Sequence, residues 1–341
     1  METLKRLCLN LAARSRIFEP LLRMIIGWEH RREIRAVAAG QIAFRRTFKT
    51  VEDSSFELRR CIHRIEKGLT MRPRKPSFAS EYISVTLDCL ANAARHASYD
   101  QTEKQWAVDV LGRYFAEVDR SDTRIADAAD RYAGILSEFG LSVSAEPLVP
   151  FRRDLSKKPV SPEALHELAV QRRSTRWFLD RPVDRMLIDK AFETAGQAPT
   201  ACNRQPFRFL LFDDPADTAK LAGIALGTKG FSHQIPCLAV IVGRLSAYPF
   251  SRDRHAIYID ASLAAMSLMF ALETRGLSSC PINWPDAEPY ESRMAQAAGL
   301  ERHERVVMLL AMGWPHPDVE VPRSAKKQLG ILRTWQDRNN V

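Results

Sequence analysis

Long uninterrupted apolar runs are missing from this 341-residue chain. None reaches the roughly 18–20 residues that a bilayer span requires. The six cysteines (Cys8, Cys61, Cys89, Cys202, Cys237 and Cys280) never fall into a C-x-x-C spacing. That removes any zinc or iron–sulfur pattern, and no metal site is expected. With no signal-like segment ahead of them, they read as reduced thiols in a cytoplasmic protein. No G-x-G-x-x-G opens a helix after a strand. The nearest glycine-bearing stretch, Ala222-Gly223-Ile224-Ala225-Leu226-Gly227, has the wrong spacing, which excludes a doubly wound dinucleotide fold. H-E-x-x-H, P-loop and G-x-S-x-G patterns are also absent.

What is present is an ordinary globular composition, with 45% hydrophobic and 27% charged residues and a net charge of +9. The charge is unevenly placed. Residues 1–75 hold 18 Lys and Arg against 8 Asp and Glu, so the rest of the chain is close to neutral. Within that basic segment Leu4, Leu7, Leu11, Ile17, Phe18, Leu21, Leu22, Ile25 and Ile26 recur at roughly helical spacing. Pro20 breaks or starts a helix there. Two readings stay open: a stripe packed on the protein's own fold, or a peripheral contact with an anionic membrane surface. The acids Glu29, Glu33, Glu52, Asp53 and Glu57 interrupt the basic run. The pattern is a mixed helical surface rather than a nucleic-acid track, and no nucleic-acid partner is expected.

Residues 61–78 contain His63, Glu66 and Lys67 one helical turn apart, then Gly68, which is expected to end the helix. The basic stretch that follows carries Arg72, Arg74 and Lys75. It reads either as an exposed loop or, with His63 and Lys67, as a pocket for an anionic substrate. Residues 81–139 predict two or three helices with apolar stripes such as Trp106, Val110, Leu111, Tyr114 and Phe115, capped near Ser121 and Asp122 and stopped by Gly140. Pro147, Pro150 and Pro159 mark 141–160 as a linker. The chain thus divides into an all-helical region, 1–145, and a second domain, 161–335.

In that second domain, Ser161 caps a helix that delivers Arg172-Arg173-Ser174-Thr175-Arg176-Trp177-Phe178 at its C-terminal end. Three guanidiniums and two hydroxyls in five residues suit a phosphate-bearing ligand. A helix over Val183–Gly196 leads to Pro199-Thr200-Ala201-Cys202-Asn203-Arg204-Gln205-Pro206-Phe207-Arg208-Phe209, where the prolines and Asn203 forbid helix. Asn203, Arg204 and Gln205 offer side-chain donors there. Phe207–Phe212, Cys237–Gly243 and Val306–Gly313 have strand length, and Ile257–Arg275 is a helix apolar on nearly every face.

Together, the R-R-S-x-R-x-F box and the P-T-x-x-N-x-Q-P-F-x-F box resemble the FMN-dependent nitroreductases. The resemblance implies an α+β fold with a mixed or antiparallel sheet flanked by helices, FMN as cofactor, NAD(P)H as electron donor, a small-molecule substrate and a homodimer centred on the 257–275 helix. Ala261, Ser262, Ala264 and Ala265 would then admit the partner's helix. It implies that Arg172, Arg173 and Ser174 hold the FMN phosphate and ribityl end, that Arg176 and Asn203 meet the pyrimidine edge, and that Gln205 supports the turn. It also implies that the closing segment, with Gly313, Arg323, Lys326 and Lys327, returns basic side chains to the phosphate. Where relatives present backbone donors to flavin N5 from a turn after the long helix, this chain has Pro281, Ile282 and Asn283 followed by the bulky Trp284. The acidic side chain common there is missing. Tyr248–Arg254 is short where relatives carry a lid, so a cover is expected from the N-terminal helices.

The expected activity is a two-step hydride transfer from NAD(P)H through the flavin to a small organic acceptor. Two alternatives stay open: an oxidase or flavin-fragmenting enzyme of the same fold, and a membrane- or polyanion-binding module with a regulatory flavin domain.

Overall fold

The computed structural model of the chain describes Gly27 and residues 30–46, 54–157 and 159–336. The apolar spacing between Leu4 and Ile26, with Pro20, lies outside the described residues, as do Cys8, Glu29, Lys49, Glu52 and Asp53.

The helix α1 (Arg31–Arg46) buries Ala36, Gly40 and Phe44. A Cβ on Gly40 would lie 2.7 Å from the Leu245 side chain and 2.9 Å from its backbone, so glycine permits this crossing. α1 shares a small core with Leu245, Ala247, Tyr248 and Ile257. Arg32 adds ion pairs to Asp286, Glu288 and Glu291. This helix therefore packs with the sheet-bearing half although it precedes the helical unit in the chain.

The helical unit is α2 (Phe56–Thr70), α3 (Ile83–Arg95), α4 (Gln101–Glu117) and α5 (Thr123–Phe139). Three of its four helices start where side chains accept from free backbone N–H groups: Ser55 from Leu58, Asp100 from Thr102 and Glu103, and Asp122 from Arg124. Gly140, at φ 62°, ends α5 in the left-handed conformation. Apolar stripes at helical spacing meet in one core around Leu58, Ile62, Leu87, Leu111, Tyr114 and Ile125. The tyrosine hydroxyls buried there are satisfied: Tyr114 donates to the Phe78 carbonyl at 2.6 Å and Tyr132 to Val108 at 2.8 Å. Gly68 departs from expectation. It does not stop α2, which continues to Thr70; a Cβ there would meet the Phe78 ring at 2.2 Å. Its role is close packing. Residues 141–150 contain no helix or strand, yet they are strapped to α4. Asp109 accepts from Ser144 N and Oγ at 2.8 Å each and from Leu148 N at 2.9 Å.

The second half is built on an antiparallel sheet of β1 (Phe207–Phe212), β2 (Cys237–Arg244), β3 (Ser278–Asn283) and β4 (Glu304–Gly313) in the order β1-β2-β4-β3. Alternation along β2 divides two cores. Leu238, Val240 and Val242 face Leu221 and Ala222 of α8 (Pro215–Ile224) and Met294 of α10 (Tyr290–Ala298). Cys237, Ala239 and Ile241 face α7 (Arg185–Ala195) and α9 (Ala256–Glu273). Helices on both faces of an antiparallel sheet make this an α+β fold, as the sequence predicts. β3, α8 and α10 were not foreseen. Pro281 argues against a strand, but β3 is an edge, where a missing N–H is tolerated.

The stretch Ser251–Glu273 is long and apolar enough to span a membrane by composition, but half of it is buried inside the fold. It includes the central helix α9. Ala261, Ala264 and Ala265 of α9 are buried within the protomer rather than on an open surface, and Ala261 and Ala265 belong to the core that α9 shares with β2. The exposed apolar residues of this helix are Ile259 and Leu263, one turn apart.

Candidate functional site

The arginine box starts where α6 (Pro162–Gln171) stops. Ser161 caps its start by accepting from Ala164 N, and Arg172 is the residue that closes it. A cation at a helix C-terminus is favourably placed against the orphan carbonyls. The chain then runs beside the edge strand β3: Ser174 bridges Ser279, and Thr175 N donates to Ser279 O at 3.1 Å. Phe178 turns inward over Gly313. A Cβ on Gly313 would lie 2.8 Å from the Phe178 ring and 2.5 Å from Pro236, so this glycine works by packing. Two contacts fix the strip from the other side. Phe178 N donates to Gln234 Oε1 at 2.8 Å, and the Gln234 amide donates to the Arg176 carbonyl. Gln234 was missed in the sequence because nothing near it carries a motif.

Arg172, Arg173 and Arg176 form no ion pair with a carboxylate among the described residues. Two of them donate to neighbouring backbone instead: Arg173 to the Arg172 carbonyl at 3.2 Å and Arg176 to the Ser174 carbonyl at 3.4 Å. Arg172 Nε and Ser279 Oγ are buried without a hydrogen-bond partner. Burying a donor unpaired costs about 1–3 kcal/mol, so orphans clustered beside three cations point to a missing anionic partner. Burial pushes the Cys280 thiol up, against the pull of Arg176 and Arg172, and its neighbourhood is accordingly electropositive. A cleft of about 180 Å³ separates Ser174–Trp177 from Val319–Pro322. Arg323 follows directly; it, Lys326 and Lys327 are exposed on the extended tail.

The asparagine turn is held by other elements. Cys202, Asn203 and Gln205 all have positive φ, at 54°, 54° and 51°. Left-handed non-glycine residues are uncommon, and three within four positions need outside support. That support comes from Asp260 of α9, accepting from Ala201 N at 2.9 Å, and from Arg59 of α2, whose Nε donates to the Asn203 carbonyl at 2.9 Å. Gln205 Nε2 donates to Asn203 Oδ1 at 3.2 Å, consistent with a supporting role in the turn. Arg204 differs from expectation: it is buried and lies over the Tyr248 ring at 4.9 Å instead of offering donors outward. Burial raises the Asp260 carboxyl despite bonds from Ala201 and Tyr248. Among the described residues no hydrogen bond or ion pair joins this turn to the arginine box within one protomer.

Pro281, Ile282 and Asn283 lie on a strand rather than in a turn, with Ile282 opposite Leu309 and Asn283 opposite Met308. Ser279 O points to the open edge because Thr175 binds it. Alternation then directs the Asn283 N–H to that edge and the Ile282 N–H toward β4. Of the two backbone donors expected from sequence, Asn283 keeps the open position and Ile282 does not. Trp284 is buried and donates to Glu291, a packing role. Among the described residues no group of three His, Cys, Asp or Glu could hold a metal.

The sequence matches the model of the nitroreductase family over residues 169–232 and 223–314. It is 25% identical over 195 residues to iodotyrosine deiodinase 1 of Homo sapiens, covering 49% of this chain and 66% of that protein. It therefore spans just under two thirds of that relative's length. It is 28% identical over 178 residues to an NADH dehydrogenase of Thermus thermophilus, covering 43% of this chain and 84% of that protein. An FMN-dependent nitroreductase structure from Clostridium difficile superposes with a TM-score of 0.40 at 21% identity, over 46% of this chain and 90% of that one.

Proposed function

Residues 169–314 form a nitroreductase-family domain, and from that premise we propose that the protein is an FMN-dependent oxidoreductase drawing electrons from NAD(P)H. The observation that carries this reading is the trio Arg172, Arg173 and Arg176, without carboxylate partners and flanked by the buried orphans Arg172 Nε and Ser279 Oγ. A phosphate is the anion that such a cluster fits best. When bound, the flavin would supply hydride acceptance and electron delivery to a second substrate.

The remaining work falls to the chain's own residues. Arg172, Arg173 and Ser174 bind the phosphate and ribityl end, with Arg323 or Lys326 closing from the tail. Arg176, held by Gln234, puts a fixed positive charge near the ring, where negative charge accumulates on reduction. Asn203 hydrogen-bonds the ring edge in a turn kept in shape by Gln205 and Arg59. The Asn283 N–H supplies a backbone donor from the open edge of β3.

The arginine box and the asparagine turn rest on different elements of one protomer. We therefore read the complete site as shared by a homodimer, with Ile259 and Leu263 of α9, 60% and 44% exposed, in the contact. The deiodinases among the relatives favour a second acceptor class, a halogenated aromatic, beside nitro compounds and quinones.

Titration of the purified protein with FMN, followed by NADH and NADPH oxidation with each acceptor, tests the reading. A saturating flavin absorbance band with acceptor-dependent oxidation of the nicotinamide is expected, and iodide release identifies the deiodinase case. A protein that stays colourless in excess FMN overturns it.

A further inference from the structure

The helical unit carries a second cationic site away from the arginine box. A groove of about 660 Å³, within the size range of small-ligand pockets, is lined by Met71, Arg72, Arg74, Arg113, Phe151 and Arg152 among others. Of the anion pocket foreseen in the sequence, it contains Arg72 and Arg74. His63, Lys67 and Lys75 are not in its lining, and His63 instead lies 3.8 Å from Glu66. Arg113 and Arg152 are the additions, brought in by α4 and by the strap that Asp109 holds.

Two of the four guanidiniums are fixed and two are available. Arg74 and Arg113 both grip Glu117, the latter at 2.8 Å. Arg113 also donates to the Pro150 carbonyl at 2.7 Å, which anchors the backbone just before Phe151 and Arg152. Arg72 and Arg152 are exposed and have no hydrogen-bond or ion-pair partner among the described residues. One carboxylate facing four guanidiniums leaves a positive excess. In the same lining Phe151 is 86% exposed and Met71 50% exposed, so an uncovered aromatic ring stands among the free cations.

We propose that this groove binds a nucleoside diphosphate or triphosphate, with its phosphates on Arg72 and Arg152 and its base against Phe151. Guanidiniums pair bidentately with phosphate oxygens, and a base stacks on an aromatic face regardless of its identity. The site is separate from the arginine box and does not depend on the flavin reading.

Calorimetric titration of the full-length protein with ADP, pyrophosphate and adenosine, with and without excess FMN, tests it. One saturable ADP site is expected, with adenosine binding much more weakly. Arg72→Ala and Arg152→Ala should each weaken ADP about tenfold or more, because each removes a charge-assisted pair. Phe151→Ala should weaken ADP but leave pyrophosphate unchanged. These side chains are exposed, so the folded content of the variants by circular dichroism should match the parent. Absence of saturable ADP binding overturns the proposal, as does parental affinity in the Arg72→Ala/Arg152→Ala double variant. Loss of ADP binding in Arg172→Ala alone also overturns it, by moving the nucleotide to the flavin cleft.

Discussion

The helical unit and the sheet-bearing half treat their buried polar groups in opposite ways. In α2–α5 the deepest ones find partners inside the fold: Tyr114 and Tyr132 on carbonyls, and Asp109 on Gln105, Ser144 and Leu148, with Glu57 Oε2 the exception. In the sheet-bearing half Arg172 Nε and Ser279 Oγ beside β3, and Arg204 Nε, Ser246 Oγ and Arg305 Nε elsewhere, are buried without hydrogen-bond partners. The three guanidiniums of the box form no ion pair among the described residues, Glu273 being the carboxylate whose charge Arg172 feels. The difference teaches where to look for a ligand. A region whose hydrogen bonds close on themselves is scaffold, and one whose donors are left over is arranged for something added later.

The largest expected effect tests the scaffold side. Leu111, fully buried in the helical core, should cost about 2–5 kcal/mol of unfolding free energy as Leu111→Ala. Chemical denaturation measures it, and a loss below about 1 kcal/mol would mean the unit is loosely packed, erasing the contrast.

Asp109→Ala comes next, at on the order of 2 kcal/mol, since several part-buried donors lose one acceptor together. Burial alone would raise this carboxyl, but its bonds from Leu148, Ser144 and Gln105 hold it below its ordinary value. A depressed carboxyl contributes stability above its unfolded pKa of about 3.9 and loses it as pH falls through the folded value. The parent should therefore lose more stability than Asp109→Asn between pH 5 and lower values, read from thermal melts across pH.

On the receiving side, Arg172→Ala should raise the FMN dissociation constant about ten- to a hundredfold, the worth of a charge-assisted bond of roughly 1.5–3 kcal/mol. Stability without FMN should stay level or rise, because the change removes an unpaired cation. A variant that unfolds but binds FMN normally would place Arg172 with the scaffold.

The smallest effect sharpens the comparison at Gly68. Alanine in a helix interior normally gains about 1 kcal/mol over glycine. Here the added methyl meets the Phe78 ring at 2.2 Å, and overpacking of about 1–3 kcal/mol should make Gly68→Ala net destabilising in a denaturant melt.

Much of this was legible from side-chain spacing. The helices around Trp106–Phe115 and Ile125–Ile135 follow from apolar recurrence, and α6 with its Ser161 cap follows from a local signal. The arginine box was legible because its chemistry is contiguous. Less legible were the features set by distant partners. Gly68 looks like a stop because its ring neighbour, Phe78, arrives through a later loop. Ala261, Ala264 and Ala265 look like a docking stripe until all three are seen to be buried within the protomer. β3 carries no alternation and a proline, and only its position at the sheet edge makes it a strand. Gln234 and Arg59 lie outside both boxes, and their roles appear only when the chain closes on itself.

The Arg59 bond to the Asn203 carbonyl has a consequence for the order of assembly. The turn that holds three left-handed residues takes one of its two outside supports from a guanidinium more than a hundred positions upstream. A chain started at residue 160 would carry both sequence boxes and every strand, yet would lack the clamp that shapes one of them. The leading helices thus brace the turn from outside the sheet-bearing half, and trimming the protein to its recognisable half would leave the turn on Asp260 alone of its two outside supports.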